Sequence, residues 1–523
     1  MTVPVTTESF PILGRTRQAP THPGIGTTGR CGERGTIRSP LADAIHPVPE
    51  KATAAMRDTE RTDAPLANWG VGSPKASRRA FGSLDVCGLF AGIGGIELGL
   101  HRAGHRALML CENDPSATAV LRKRFPGLPI EGDVRGIDSL PRGTQLLAAG
   151  FPCQDLSQAG LTRGIRGKRS GLVANVFRLL EQHPVPWVLL ENVPFMLQLG
   201  RGRALDVIVG RLEALGYRWA YRVVTSQAFG LPHRRERVFL LGSLRDDPRE
   251  VLLSEDAGTP ATPARSGNIA HGFYWTEGVR GLGWGIDVVP TLKGGSTVGI
   301  PSPPAILLPQ GRVVTPDIRD AERLQGFPDD WTQPAEEVGR ASLRWKLVGN
   351  AVTVDVAKWI GERLASPLTY GRDGWDTPIP KGSPWPRSAW NMGGGRFASD
   401  CSAWPVRGPV THLHEFLTHE PKPLSARATA GFLERTSRSS LRFPPGFLPK
   451  VEAHLREVRN NPGHEERPGA ARKRNRIELD KARSPRRRSG DVGSAGSSST
   501  ARDGRGAGGP AHAAPSRPQI SRP

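Results

Sequence analysis

Cysteine is scarce in this chain of 523 residues: there are five, Cys31, Cys87, Cys111, Cys153 and Cys401, and no two are spaced as CxxC. So few thiols, so far apart, exclude a disulfide framework and supply no zinc-ligand spacing. No apolar run approaches the roughly 20 residues that cross a bilayer, and the opening MTVPVTTESFPILGR lacks the charged-then-apolar order of an export signal. Acidic residues are also short, 50 Asp and Glu against 71 Lys and Arg. The expectation is a reduced, cytoplasmic protein with no membrane association. Its net charge of +21 calls for a polyanionic partner, nucleic acid first.

The length is too great for one compact core, which leads us to expect two or three domains. Residues 1–80, rich in Thr, Pro, Gly and Arg, show no apolar periodicity and read as a disordered extension. An upstream start codon wrongly chosen would give the same composition. Residues 456–523 carry the basic runs RKRNR and PRRR and then Gly/Ser/Ala/Pro low complexity, a solvated tail with weak attraction for phosphate. The terminal stretches hold only part of the basic surplus, so the region between them is basic in its own right.

That region alternates strands and helices. Short apolar strands are predicted at Leu84–Phe90, Ala107–Cys111, Gln145–Gly150 and Trp187–Leu190. A helix carries Ile96, Leu100 and Ala103 on one face and stops at Gly104; another is capped by Asp114 and Pro115; two more fall near 171–182 and 203–215. Such alternation specifies a mainly parallel, Rossmann-like α/β sheet with helices on both faces. Arg218–Thr225 and Arg237–Gly242 predict an antiparallel pair at one edge. Ligands of such sheets bind beyond the carboxyl ends of the strands.

The turn Phe90-Ala91-Gly92-Ile93-Gly94-Gly95 brings glycines between a strand and a helix, where the backbone can approach a ligand closely. Glu97 stands where the dinucleotide fingerprint GxGxxG has its third glycine. Glu112, closing the second strand, is placed for ribose hydroxyls, and Asp133, in Gly132-Asp133-Val134, for an adenine amino group. A nucleoside cofactor without a pyrophosphate fits better than NAD. In Gly150-Phe151-Pro152-Cys153-Gln154, proline stiffens the turn from which Cys153 projects. A lone cysteine is ordinarily a small buried hydrophobe, but this one follows an apolar strand and precedes a polar loop. Glu191, before Asn192 and Val193, leaves a buried strand, and Arg235 and Arg237 share one face of an extended segment by alternation.

In this order, FAGIGG, Glu112, GDV, GFPCQ, ENV, the RxR pair, RLQGFPDDW (323–331) and GNAVTV (349–354) resemble the bacterial DNA cytosine C5-methyltransferases over residues 84–365. The resemblance implies a class I methyltransferase fold with a small target-recognition domain, and S-adenosyl-L-methionine as methyl donor with no metal. It makes Cys153 the nucleophile, Glu191 the group that protonates or hydrogen-bonds N3, and Arg235 the group on the cytosine edge. Phe90, Ala91, Gly92, Gly94, Gly95, Glu112, Asp133, Val134 and Asn350 are implied for the cofactor. Pro152, Gln154, Ser157, Arg163, Asn192, Arg237 and Thr291 are implied for the DNA. Gln154–Gly171, with Arg163, Arg166, Lys168 and Arg169, is expected to be a lid that closes on duplex DNA. Two departures stand out: Gly88 where the family often has Asp, and His233 where it usually has Gln.

The implied boundaries are a catalytic domain at 81–244, target recognition at 245–315 and a return segment at 316–365. Residues 366–455, with Trp375, Trp385, Trp390 and Trp404 and a helix near Ser425–Ser437, lie outside the resemblance and read as a packing cap or an added DNA grip. His412 and His414 are expected on the surface. A monomer is expected, with a cognate restriction endonuclease or defence proteins as functional partners by family analogy. An RNA (tRNA) cytosine methyltransferase or a catalytically silent DNA-binding protein are the competing classes.

Overall fold

The computed structural model describes residues 82–152, 171–260, 268–296, 301–371 and 374–460. Cys153, Gln154, Ser157 and Arg163, the rest of the expected lid to Ser170, residues 1–80 and residues 461–523 lie outside the described residues.

Along the chain the strands are β1 (Asp85–Leu89), β2 (Arg106–Cys111), β3 (Ile130–Glu131), β4 (Leu146–Ala149), β5 (Trp187–Asn192), β6 (Arg218–Thr225), β7 (His233–Arg234), β8 (Glu236–Ser243), β9 (His271–Phe273), β10 (Trp284–Ile286), β11 (Val289–Pro290), β12 (Ala305–Leu307), β13 (Val313–Thr315), β14 (Thr377–Pro378), β15 (Ser388–Asn391), β16 (Phe397–Ala398) and β17 (Lys422–Pro423). Ten of them form one sheet in the order β14-β16-β15-β6-β8-β5-β4-β1-β2-β3. From β3 to β5 neighbouring strands are parallel, and β8 runs antiparallel to both β5 and β6.

Strand alternation sends neighbouring side chains to opposite faces. Val86, Leu146, Ala148 and Leu189 pack against Ile96 and Leu100 of helix Gly95–Arg102 and Val356, Trp359 and Ile360 of helix Val354–Ala365. Cys87, Leu89, Leu147, Val188 and Leu190 face the other way, onto Val176, Phe177 and Leu180 of helix Val173–Gln182 and Leu205, Ile208 and Leu212 of helix Arg203–Ala214. Each such aliphatic side chain contributes about 1.5–3 kcal/mol when fully buried. The sheet is thus the expected Rossmann-like α/β layer with helices on both faces. The predicted caps are present: Asp114 accepts from the amides of Ser116 and Ala117 at the start of helix Pro115–Arg124, and Gly104 adopts φ +92° just beyond helix Gly95–Arg102.

The β6/β8 pair is not an edge. β15 pairs antiparallel with β6, and β16 and β14 follow it. Residues 377–398 therefore extend the main sheet, with Trp385 edge-on to Trp219 and Tyr221 and Trp390 stacked on Phe397. A second sheet, β10-β9-β12-β13-β17, draws its last strand from residues 422–423. Helices Ala426–Ser437 and Phe447–Asn460 cover one of its faces through Phe432, Phe447 and Val451 against Phe273, Ala305 and Leu307. Residues 366–455 are accordingly divided between two sheets, and residues 456–460, assigned by composition to the tail, finish a helix. β11 pairs in parallel with β7 as a separate two-stranded sheet, tying the stretch before β12 and β13 to the segment that leads into β8.

Candidate active site

A cavity of about 480 Å³ opens at the carboxyl ends of β1, β2, β4 and β5. Phe90 and Gly92 form part of its wall, and Phe90 itself holds a left-handed φ of 56°. Glu112 is fixed by two amides: Oε2 accepts from Gly92 N–H and Oε1 from Asp114 N–H, each at 2.8 Å. The carboxylate thus staples the glycine turn to the next helix cap and keeps unused lone pairs toward the cavity. Asp133 and Val134 also line it, but Asp133 is already paired with Arg135, its Oδ2 2.6 Å from the guanidinium. That guanidinium and the Arg135 amide hold its carboxyl below the usual range.

The glycines of the turn have different duties. A Cβ at Gly92 would meet nothing within 4 Å, whereas one at Gly94 would come within 2.4 Å of the Phe125 ring and one at Gly95 within 2.4 Å of the Val352 carbonyl. Gly94 and Gly95 are demanded by packing, and neither they nor Ala91, whose amide donates to Cys111 O at 3.0 Å, line the cavity. Glu97 is buried behind the turn, and a Cβ at Gly88 would lie 2.2 Å from its Oε1. The carboxylate missing at 88 is therefore matched by one arriving from the helix. Burial pushes the Glu97 carboxyl up to about 7.

Across the cavity stand Pro152, Glu191, Asn192 and Arg237. Glu191 lies inside β5 rather than beyond it and is 8% exposed. Its Oε1 is 3.1 Å from Arg237 Nε. Burial raises the Glu191 pKa, and Arg237 and then Arg235 pull it back. Asn192 donates to Phe151 O at 3.0 Å and accepts from Val193 N–H at 2.9 Å. It thus fixes the peptide that leads into Pro152.

Arg235 is elsewhere. Alternation fails because the chain turns between β7 and β8: Arg235 N–H donates to His233 O at 2.9 Å, a three-residue turn. Its guanidinium is 1% exposed and donates to the carbonyls of Leu292, Gly349 and Ala351. The expected place of Arg235 on the reacting base is corrected: Arg237 faces the cavity and Glu191. Asn350 is among the residues that line the cavity. Thr291 is not; its hydroxyl donates to Arg234 O at 2.7 Å.

Among the polar lining residues that sequence reasoning left out are Asn113 and Lys346. Lys346 lies four residues before Asn350 in helix Leu343–Asn350, a helical spacing that would have put both on one face, and its ammonium meets Asp114 Oδ2 at 2.7 Å. His412 is half exposed and hydrogen-bonded to Asp287 at 2.6 Å. Among the described residues no group of three or more potential metal ligands converges, and no helix is long and apolar enough to cross a membrane.

A nucleoside-sized cavity at the strand ends of a doubly wound sheet, shared with a buried carboxylate–guanidinium pair, is the arrangement of an α/β class I methyltransferase. Residues 84–271 and 308–366 match the family described as C-5 cytosine-specific DNA methylase, and the unmatched interval holds most of the second sheet. The type II methyltransferase M2.BsuMI of Bacillus subtilis is 48% identical over 382 residues, covering 71% of this chain and 97% of that protein. M.NlaX of Neisseria lactamica is 30% identical over 318 residues, 55% of this chain and 98% of that one. Among solved structures, the Dnmt2 methyltransferase of S. pombe aligns at 16% identity and a TM-score of 0.39, over 54% of this chain and 98% of that one. The chain belongs to the C-5 cytosine-specific DNA methylase family and is a DNA (cytosine-5-)-methyltransferase.

Proposed function

We propose that this enzyme transfers a methyl group from S-adenosyl-L-methionine to C5 of a cytosine within a specific duplex DNA sequence, with Cys153 as nucleophile. The observation that carries the reading is the Glu191–Arg237 pair at 3.1 Å, on the same cavity wall as Pro152, the residue before Cys153. The cavity suits the cofactor chemically: Glu112 offers acceptor lone pairs for ribose hydroxyls, Gly92 leaves room along the turn, and Lys346 offers a cation for a carboxylate. The bound donor supplies an electrophilic methyl on sulfur.

The Cys153 thiolate adds to C6 of the base, and the ring electrons move onto C5, which takes the methyl group. A protonated Glu191 serves N3 during the addition, a role favoured by the burial that raises its pKa. Arg237 orients Glu191 and stabilises charge on the cytosine edge. A base or water then removes the C5 proton, and the sulfur–C6 bond breaks to restore the aromatic ring. C6 is covered in a stacked duplex, so the base must be flipped out; the lid residues Gln154, Ser157 and Arg163 are assigned to closing over it. Residues 245–315 serve as the target-recognition domain. The type II relatives support a place in restriction–modification; a role in phage defence, a cognate endonuclease as partner and a monomeric enzyme complete the proposal.

Labelled S-adenosylmethionine with duplex DNA or tRNA tests this directly. Label is expected in DNA, and Cys153→Ala abolishes it; DNA containing 5-fluorocytosine traps a covalent complex. Methylation that persists in Cys153→Ala, or label that enters tRNA alone, would overturn the assignment.

A further inference from the structure

Two buried residues of the segment 233–237 touch neither the cavity nor each other's partners at random: both hold Leu292. His233 is 0% exposed; its Nδ1–H donates to Leu324 O at 3.0 Å, and its Nε2 accepts from Leu292 N–H at 3.0 Å. The two contacts fix the neutral tautomer, because a proton on Nε2 would face an amide donor. Arg235 completes the grip by donating to Leu292 O at 3.1 Å. Both polar groups of one residue are thus committed to a single short segment.

The same guanidinium continues to the cavity wall. It donates to Gly349 O at 3.1 Å and to Ala351 O at 2.5 Å, the carbonyls on either side of Asn350. Packing there leaves no slack: a Cβ on Gly349 would fall 2.1 Å from the Lys293 carbonyl carbon, and one on Gly294 2.3 Å from Asn350 Oδ1. Gly349, Asn350 and Ala351 line the cavity. The stretch from Thr291 to Gly294 rests on them, and β11 immediately before it is paired with β7.

We infer that His233 and Arg235 are coupling residues: they join the Gly349–Ala351 wall to the Thr291–Gly294 stretch, so that filling the cavity with cofactor orders the segment that meets DNA. This rests on the reading of the cavity as the cofactor site and of 245–315 as target recognition. Because coupling between two binding events is reciprocal, bound DNA tightens cofactor binding by the same factor. An arginine with three carbonyl acceptors suits the task, since its planar fork holds several partners in fixed relative positions.

Hydrogen exchange on the full chain, with S-adenosylhomocysteine as probe and no DNA, isolates the step. In the unsubstituted enzyme the probe is expected to slow exchange at 349–353 and also at 289–296, by about tenfold or more, within the usual range of such couplings. In Arg235→Lys, which keeps the charge but loses the fork, protection should remain at 349–353 and vanish at 289–296. His233→Gln retains a donor and an acceptor and should behave as the unsubstituted chain; His233→Leu should uncouple the two stretches. Protection confined to 349–353 in the unsubstituted enzyme, or passed on undiminished by Arg235→Lys and His233→Leu, overturns the inference while leaving the cofactor site intact. Failure of the probe to protect any residue overturns the cofactor reading, and the coupling with it.

Discussion

The two walls of the cavity are built differently. On one side Phe90, Gly92, Glu112 and Asp133 each sit within a few residues of the strand that positions them, and Glu112 fastens its own neighbours by local hydrogen bonds. On the other, Glu191, Arg237 and Asn350 come from segments far apart in the chain: Glu191 and Arg237 hold each other, and the Asn350 segment is held by Arg235 and by packing at Gly349 and Gly294. The first wall follows from local order. The second exists only once distant segments have met, so the same residue type two positions away performs a different task.

The sharpest way to break that comparison is to exchange the two arginines' fates. Arg237→Ala should leave a folded enzyme whose kcat falls by about 10²–10⁴, the usual worth of an acid–base group and its orienter. Arg235→Ala should instead lose about 3–9 kcal/mol of stability, because three buried carbonyls are left unpaired at about 1–3 kcal/mol each. Denaturant titration and single-turnover rates separate the two, and the reverse pattern would refute the assignment.

Next in size is the pH profile. In the proposed mechanism Glu191 works protonated, and burial raises its pKa. Single-turnover rate should therefore fall as pH rises through that value. Arg237 favours the ionised form, so Arg237→Ala should move the falling limb to higher pH, and Glu191→Gln should remove it. A limb that stays put in both variants belongs to another group.

Within the local wall, the glycines should separate in the same manner. Gly94→Ala combines a left-handed φ of 83° with a 2.4 Å clash against Phe125, and should cost about 2–4 kcal/mol of stability. Gly92→Ala, whose Cβ meets open space, should cost about 1 kcal/mol for its φ of 57° and chiefly weaken binding of S-adenosylhomocysteine, measurable by calorimetry.

Glu97 offers a test against pH. With its pKa raised from 4.5 to about 7, the folded state keeps a proton that the unfolded chain releases, so stability declines as pH rises between those values and is level beyond. Glu97→Gln should remove that slope, gaining up to about 3 kcal/mol at pH 8 and nothing near pH 4. Lys346→Met is the smallest expected change, below about 1 kcal/mol, since the Lys346–Asp114 pair is substantially exposed.

Much of this was legible beforehand. The parallel strands, the Asp114 cap, the turn at Gly104 and the strand-end carboxylates all follow from short-range periodicity and capping. Three features were not. β14 and β16 span two residues each, too short to show a period, so nothing marked 377–398 as part of the main sheet. β17 is equally brief and reaches its partner from more than a hundred residues away. The turn at Arg235 interrupts an apparently continuous extended segment, so alternation, projected through it, put Arg235 and Arg237 on one face where the structure separates them.

What the sequence determined by itself was the doubly wound layer, because apolar alternation, glycine turns and caps act over a few residues and leave their mark in order along the chain; the family was legible through the resemblance of its ordered motifs. What the tertiary structure alone decided was which buried polar atoms meet: Glu191 with Arg237, Leu292 with His233 and Arg235, Gly88 with Glu97. Those pairings are set by the need to satisfy every donor and acceptor withdrawn from water, a condition on space rather than on spacing.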